Sequence, residues 1–214
     1  MDVGELAEYL GLPPAVVGGD GRYDGWMVAD PAAARSVAEL VEAVRRGARP
    51  KFVFFWGHQA RPDGLLSATC FSQWWPARFA ADGHTFPSAE HYMMWRKACL
   101  FDDREHAEAI LRAGSPAQAK ALGRQVTGFD ETVWVQHRWE IVVAGSVAKF
   151  SADDGLRGYL LGTARRVLVE ASPRDRLRGI GMGASHEHAE HPEQWRGLNL
   201  LGFALMEARH RLQR

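Results

Sequence analysis

Residues 88–97 read Ser88-Ala89-Glu90-His91-Tyr92-Met93-Met94-Trp95-Arg96-Lys97. Pro87 precedes Ser88, whose hydroxyl can cap the free N–H groups of a first helical turn. No glycine or proline interrupts the run, and Met, Arg, Lys and Ala are good helix formers. The stretch predicts a half-buried helix with Glu90 and Lys97, nearly two turns apart, on one face. Spacing alone leaves two readings open. One is a surface acid and a surface base flanking an amphipathic stripe. The other is a carboxylate and an amine set among Tyr92, Met93, Met94 and Trp95 for chemistry.

Upstream, Phe71 to Thr85 predicts a bent hairpin that turns at Asp82-Gly83 and leads into the helix. Phe52-Val53-Phe54-Phe55-Trp56 is a short β-prone run, and Gly57 to Gly64 reads as a loop. Before it, Asp30-Pro31 has the chemistry of a cap and a first helical residue. Val37, Leu40, Val41 and Val44 form the stripe of that helix, which Gly47 and Pro50 stop. Leu6, Tyr9, Leu10 and Leu12 suggest a further short helix.

Downstream the pattern is mainly helical. Segments are expected over 103–113, from Ser115-Pro116 to Gly123, over 130–150 and over 155–161. Arg166 to Ala171 reads as a strand, and a last helix is expected over 199–212. Gly179-Ile180-Gly181-Met182-Gly183 requires a loop with positive φ or a close backbone approach. The expected class is α+β, mainly α-helical. Residues 1–50 are expected to form an N-terminal helical extension on a domain of residues 51–214, which carries a small β-hairpin or sheet element.

Lys and Arg together number 26, as do Asp and Glu, so the net charge is zero. That argues against a non-specific nucleic-acid binder, while leaving room for a local basic pocket. The apolar runs are too short to span a bilayer, and the N-terminus lacks the basic region of a signal peptide. A soluble, cytoplasmic protein is expected. Two cysteines, Cys70 and Cys99, form neither a disulfide framework nor a metal motif. His186-Glu187-His188-Ala189-Glu190-His191 lacks helical ligand spacing and reads as a solvated loop, so neither metal nor cofactor is expected.

An ordered series of blocks resembles the NADAR (YbiA-like) family of N-glycosidases. It runs from about residue 52 to 212 and includes Phe71-Ser72-Gln73-Trp74-Trp75-Pro76, the Ser88–Lys97 stretch and Ala119-Lys120-x-Leu122-Gly123-Arg124. It continues through Trp134, Arg138, Lys149-Phe150, Leu168 to Pro173, Asp175 and Gly179-Ile180-Gly181, and closes on Trp195-x-Gly197-x-Asn199. The resemblance implies hydrolysis of an N-glycosidic bond. The implied substrates are phosphoribosyl-amine intermediates of riboflavin biosynthesis or ADP-ribosylated guanine, either as a small molecule or within nucleic acid.

The resemblance also implies catalytic roles for Glu90, Lys97 and Asp175. Substrate binding is expected from Trp134, Trp74, Phe71, Gly57, Arg96, Tyr92 and Gly181. One departure stands out: many members have Trp before the Gly179-Ile180-Gly181 segment, where this chain has Arg178. Glycoside cleavage builds positive charge on the ribose, which a carboxylate such as Glu90 stabilises. A desolvated Lys97 would become a nucleophile; its plainer alternative is an ion pair with Glu90 or Asp175. Asp175 can bind a ribose hydroxyl, move a proton or cap the chain after Pro173. Trp134 can stack on a base or pack in the core. Arg96, Lys120, Arg124 and Arg138 are candidate phosphate contacts. The competing function is a non-catalytic module that binds ADP-ribose or a related nucleotide.

Overall fold

The computed structural model describes residues 30–214. The helix expected from Leu6 to Leu12 lies outside these residues. In chain order the described elements are α1 (Val37–Arg45), β1 (Phe52–Phe55), β2 (Phe79–Ala81), β3 (His84–Phe86), α2 (Ala89–Leu100) and α3 (Arg104–Leu111). Then follow α4 (Pro116–Gly123), α5 (Glu131–Ser151), α6 (Asp154–Leu161), β4 (Val167–Glu170) and α7 (Leu200–Leu212). The class is the α+β, mainly helical one expected. The chain folds as two compact units, one of residues up to Trp56 with Thr163–Glu207, the other of Gly57–Gly162 with Ala208–Arg214.

In the first unit, β1 and β4 pair in parallel, with Phe52 opposite Val167 and Phe55 opposite Glu170. Val167, Leu168 and Val169 are fully buried, as befits a strand covered on both faces. The other edge of β4 is closed by a side chain. Asn199 accepts from the Glu170 N–H at 2.9 Å and donates to the Leu168 carbonyl at 2.9 Å. Its φ of 50° is one that Asn tolerates better than most residues.

The helix expected from Asp30-Pro31 is divided in two. Asp30 accepts from Ala32 N–H and closes only a 3₁₀ turn, Pro31–Ala33, after which Ala34 is extended. Ser36 caps α1 instead, accepting from Glu39 N–H, while the Glu39 carboxylate accepts from Arg35 N–H. Two caps six residues apart compete, and the second holds the longer helix.

In the second unit, the hairpin is shorter than expected. Phe71 belongs to a 3₁₀ turn, Ala68–Phe71, and the arms are only β2 and β3. Asp82 and Gly83 both have positive φ, as a two-residue hairpin turn requires. Asp82 also ties the hairpin to α2, because it accepts from Tyr92 Oη at 3.2 Å and Arg96 Nη1 at 2.8 Å.

The expectation of a half-buried α2 is corrected over its first two turns. Every residue from Ala89 to Trp95 is buried. Two close approaches make this possible. A Cβ added to Gly145 on α5 would lie 2.6 Å from Tyr92 Cδ1, and one added to Gly123 on α4 would run into the Met94 side chain. With neighbours this close, the helix has no solvated face over its first two turns.

Gly145→Ala should therefore destabilise the fold. The helix-propensity gain is about 1 kcal/mol, whereas forcing a methyl into a packed ring costs about 1–3 kcal/mol. Denaturant unfolding should show a lower midpoint at unchanged slope. An equal or higher midpoint would contradict this packing.

Candidate active site

α2 presents the two groups singled out by spacing. Ser88 caps it as expected, accepting from His91 N–H, and the Ser88 hydroxyl also bonds the His91 ring at 2.7 Å. Glu90 lies in the first turn and is fully buried, which removes the surface-acid reading for this residue. Its backbone N–H donates to the Gln73 carbonyl at 2.9 Å, joining the helix start to the turn that carries Trp74.

Lys97 lies at the other end of α2. Its Nζ donates to the Gly123 carbonyl at 2.8 Å. The ammonium also sits 3.9 Å from the centroid of the Phe129 ring and 5.9 Å from that of Trp134. Burial pushes the Lys97 pKa down, and the field of Glu131 opposes the shift. Lys97 and Trp134, two of the expected site residues, thus share one neighbourhood.

A second lysine behaves differently. Lys149 on α5 is 1 % exposed, and its Nζ donates to the Cys70 carbonyl at 2.6 Å and the Ser72 carbonyl at 2.8 Å. Burial pushes its pKa down to about 7, against a smaller opposing influence of Cys70. Burial lowers the pKa of both lysines, but Lys149 is enclosed and held by two backbone carbonyls, whereas Lys97 is half-buried and held by one.

The remaining expected residues are dispersed. Trp74 faces the His58 ring at 5.5 Å and Lys120 Nζ at 5.9 Å. Phe71 is a core side chain packed on Phe150 and Tyr159. The Tyr92 hydroxyl, buried and bonded to Asp82, has its pKa pushed up to about 12, mainly by burial. Gly57 has a φ of 76° with open space around it. Arg96 pairs with Asp82 rather than standing free. All of these belong to the second unit with Glu90, Lys97 and Trp134, whereas Asp175 and Gly181 belong to the first.

Within the first unit, Gly181 has a φ of 71°, and a Cβ added to Gly179 would lie 2.6 Å from the Glu170 carbonyl oxygen. The glycine run thus uses both a positive φ and a close approach. Asp175 Oδ1 accepts from the N–H groups of Leu177 and Arg178, and Oδ2 accepts from Arg178 Nε at 3.0 Å. A cavity of about 350 Å³ opens at the carboxyl ends of β1 and β4, lined by Trp56, Ala171, Pro173 and Gly183. Among the described residues, no group of three or more His, Cys, Asp or Glu side chains could hold a metal ion.

The NADAR domain model matches residues 54–213. The chain belongs to the NADAR family. It is 39% identical over 168 residues to the "N-glycosidase R617" of Acanthamoeba polyphaga mimivirus, covering 76% of this chain and 97% of that protein. It is 33% identical over 138 residues to the "N-glycosidase YbiA" of Escherichia coli (strain K12), covering 64% of this chain and 76% of the relative. The NMR structure of E. coli YbiA superposes with a TM-score of 0.59 at 28% identity, over 78% of this chain and 87% of that one. A maize protein named "Riboflavin biosynthesis protein PYRR, chloroplastic" is 35% identical over 135 residues, which are 60% of this chain and 20% of that protein.

Against the NADAR pattern, the Arg178 departure has a definite consequence. Its guanidinium is the ion-pair partner of Asp175. Burial pushes the Asp175 pKa up, but Arg178 and the two backbone N–H groups outweigh burial and hold it below the usual carboxylate range. Several neighbours of the expected residues were not legible in the sequence, namely Phe129, Glu131 and the Gly123 carbonyl around Lys97. The only signal available was an aromatic residue beside the Asp130 cap, which is common at helix starts.

Because the folded pKa of Asp175 is depressed, its contribution to stability is present above the unfolded pKa and fades as pH falls through the folded one. Arg178→Gln should move the Asp175 carboxyl pKa upward, since burial then acts with less opposition. A ¹³C carboxyl titration of both proteins measures this directly. An unchanged pKa in the variant would contradict the pairing.

Proposed function

We propose that this NADAR domain is an N-glycosidase acting on a phosphorylated ribosyl or ADP-ribosyl N-glycoside. The observation that carries the reading is a fully buried Glu90 on the same helix as Lys97, whose amine lies beside Trp134. These residues fall within the segment matching a family whose relatives are named N-glycosidases. The name of the maize relative supports a phosphoribosylamino-pyrimidine of riboflavin biosynthesis as one substrate form. ADP-ribosylated guanine is the other.

In this reading Trp134 stacks on the base or ribose, and Glu90 stabilises the oxocarbenium charge as the C1–N bond lengthens. Burial strengthens that interaction by excluding water. Lys97, in its neutral form, attacks C1. The C1–N bond breaks, the C1–Nζ bond forms, and the base leaves with a proton given up by the newly alkylated Nζ. Ring opening gives an imine on Nζ, and water hydrolyses it to free sugar and lysine. Asp175 lies in the first unit, paired with Arg178, and takes no step in this scheme.

Glu90→Gln keeps the shape and removes the charge. Release of free base should fall by about 10²–10³-fold, the usual cost of losing one such stabilising group. Wild-type turnover in this variant would take Glu90 out of the mechanism. Borohydride added during turnover should trap a sugar adduct on the peptide containing Lys97, and Lys97→Ala should abolish it. An adduct on Lys149 would identify the other lysine as nucleophile. Normal turnover without any adduct would favour direct attack by water with Glu90 as base.

A further inference from the structure

Arg138 is a buried cation that the fold itself leaves poorly matched. It is 2 % exposed, and its Nε and Nη2 have no hydrogen-bond partner among the described residues. Burial lowers its pKa, with only the field of Glu131 opposing. An isolated buried guanidinium is a strongly unfavourable arrangement, and native proteins retain one where something else compensates.

The surroundings indicate what compensates. Glu131, Trp134 and Arg138 lie at i, i+3 and i+7 on α5, so they follow one another along one helix face. Trp134 is one turn from Arg138, and its ring is 5.9 Å from the Lys97 ammonium. The Glu131 carboxylate acts on both Lys97 and Arg138. The region thus holds the basic side chains of Lys97 and Arg138, one carboxylate and the aromatic faces of Trp134 and Phe129. In a chain of zero net charge, attraction for an anion must be local.

We propose that Arg138 is an anion-binding residue that receives a phosphate oxygen of the substrate through its Nε and Nη2, next to Trp134 and Lys97. The two nitrogens are adjacent donors on one edge of the guanidinium, which suits a bidentate contact with phosphate. The proposal rests on the reading of the substrate as a phosphorylated ribosyl compound. It adds that the phosphate is recognised at α5, so that dephosphorylated ribosides bind weakly. The site accounts for the burial of an arginine at the position where an ordinary core helix would carry an aliphatic residue.

The test is binding to the full chain, measured by calorimetry and thermal melting, with ribose 5-phosphate, pyrophosphate and ribose as probes. Wild-type protein should bind ribose 5-phosphate saturably and at least tenfold more tightly than ribose. Arg138→Met should weaken ribose 5-phosphate by tenfold or more, while its ligand-free melting temperature stays equal to or rises above that of wild type. Should the methionine variant not fold, Arg138→Lys keeps a charge without the paired donors and should still weaken the phosphate several-fold. A ligand-free melting temperature that falls in Arg138→Met, with ribose 5-phosphate affinity retained, would make Arg138 structural and overturn the proposal. Equal binding of ribose and ribose 5-phosphate by wild type would overturn it as well. Phosphate-dependent binding through Arg138 in a protein that releases no base from any N-glycoside would instead refute the enzymatic reading and leave the anion site standing.

Discussion

The burial of the first two turns of α2 on every side is the constraint on which the candidate site depends. It arises because Gly123 and Gly145 let α4 and α5 approach within side-chain contact of Met94 and Tyr92. Helices ordinarily pack with larger residues between them, 8–10 Å apart at the axes. A glycine on each neighbour brings the backbone in and closes the space a solvated face would use. Glu90 then enters the interior with the helix, whatever its own preference for water. A buried carboxylate carries a high solvation cost that its surroundings must offset.

The same packing explains the unlike fates of the lysines. Lys149 projects from α5 into the turn around Cys70 and Ser72, where two carbonyls hold it. It fastens the segment carrying Trp74 to the long helix. Lys97 emerges where α2 meets the end of α4, so its amine takes the Gly123 carbonyl on one side and the Phe129 ring on the other. Attack on C1 would require Lys97 to give up the carbonyl bond, whereas Lys149 would have to give up two and leave the core. The bonds that hold each amine, more than its basicity, separate the two lysines.

Much of the fold was legible because its signals are local. Ser88, Ser115 and Asp130 each cap the helix expected from them, and Asp82-Gly83 makes the expected hairpin turn. The Asp30 cap failed because Ser36 offered a competing start a few residues on, with Glu39 to complete it. The burial of α2 was not legible, since a stripe pattern in one helix does not say how closely its neighbours come. At the site, Glu90, Lys97 and Trp134 could be named from motif blocks. Their partners could not, because a backbone carbonyl at Gly123 or a guanidinium at position 178 becomes meaningful only once the chain has folded around it.

The central claim is that the carbon–nitrogen bond between ribose and base is broken. Mass spectrometry of the products formed from a phosphoribosylamino-pyrimidine and from ADP-ribosylated guanine tests it most directly. The account predicts a free base that keeps its nitrogen, together with an equimolar reducing sugar phosphate or ADP-ribose that has gained one water oxygen, over many turnovers per protein. Saturable binding of intact substrate with no base released after many equivalents would contradict it, and would make this domain a reader of the nucleotide rather than an enzyme.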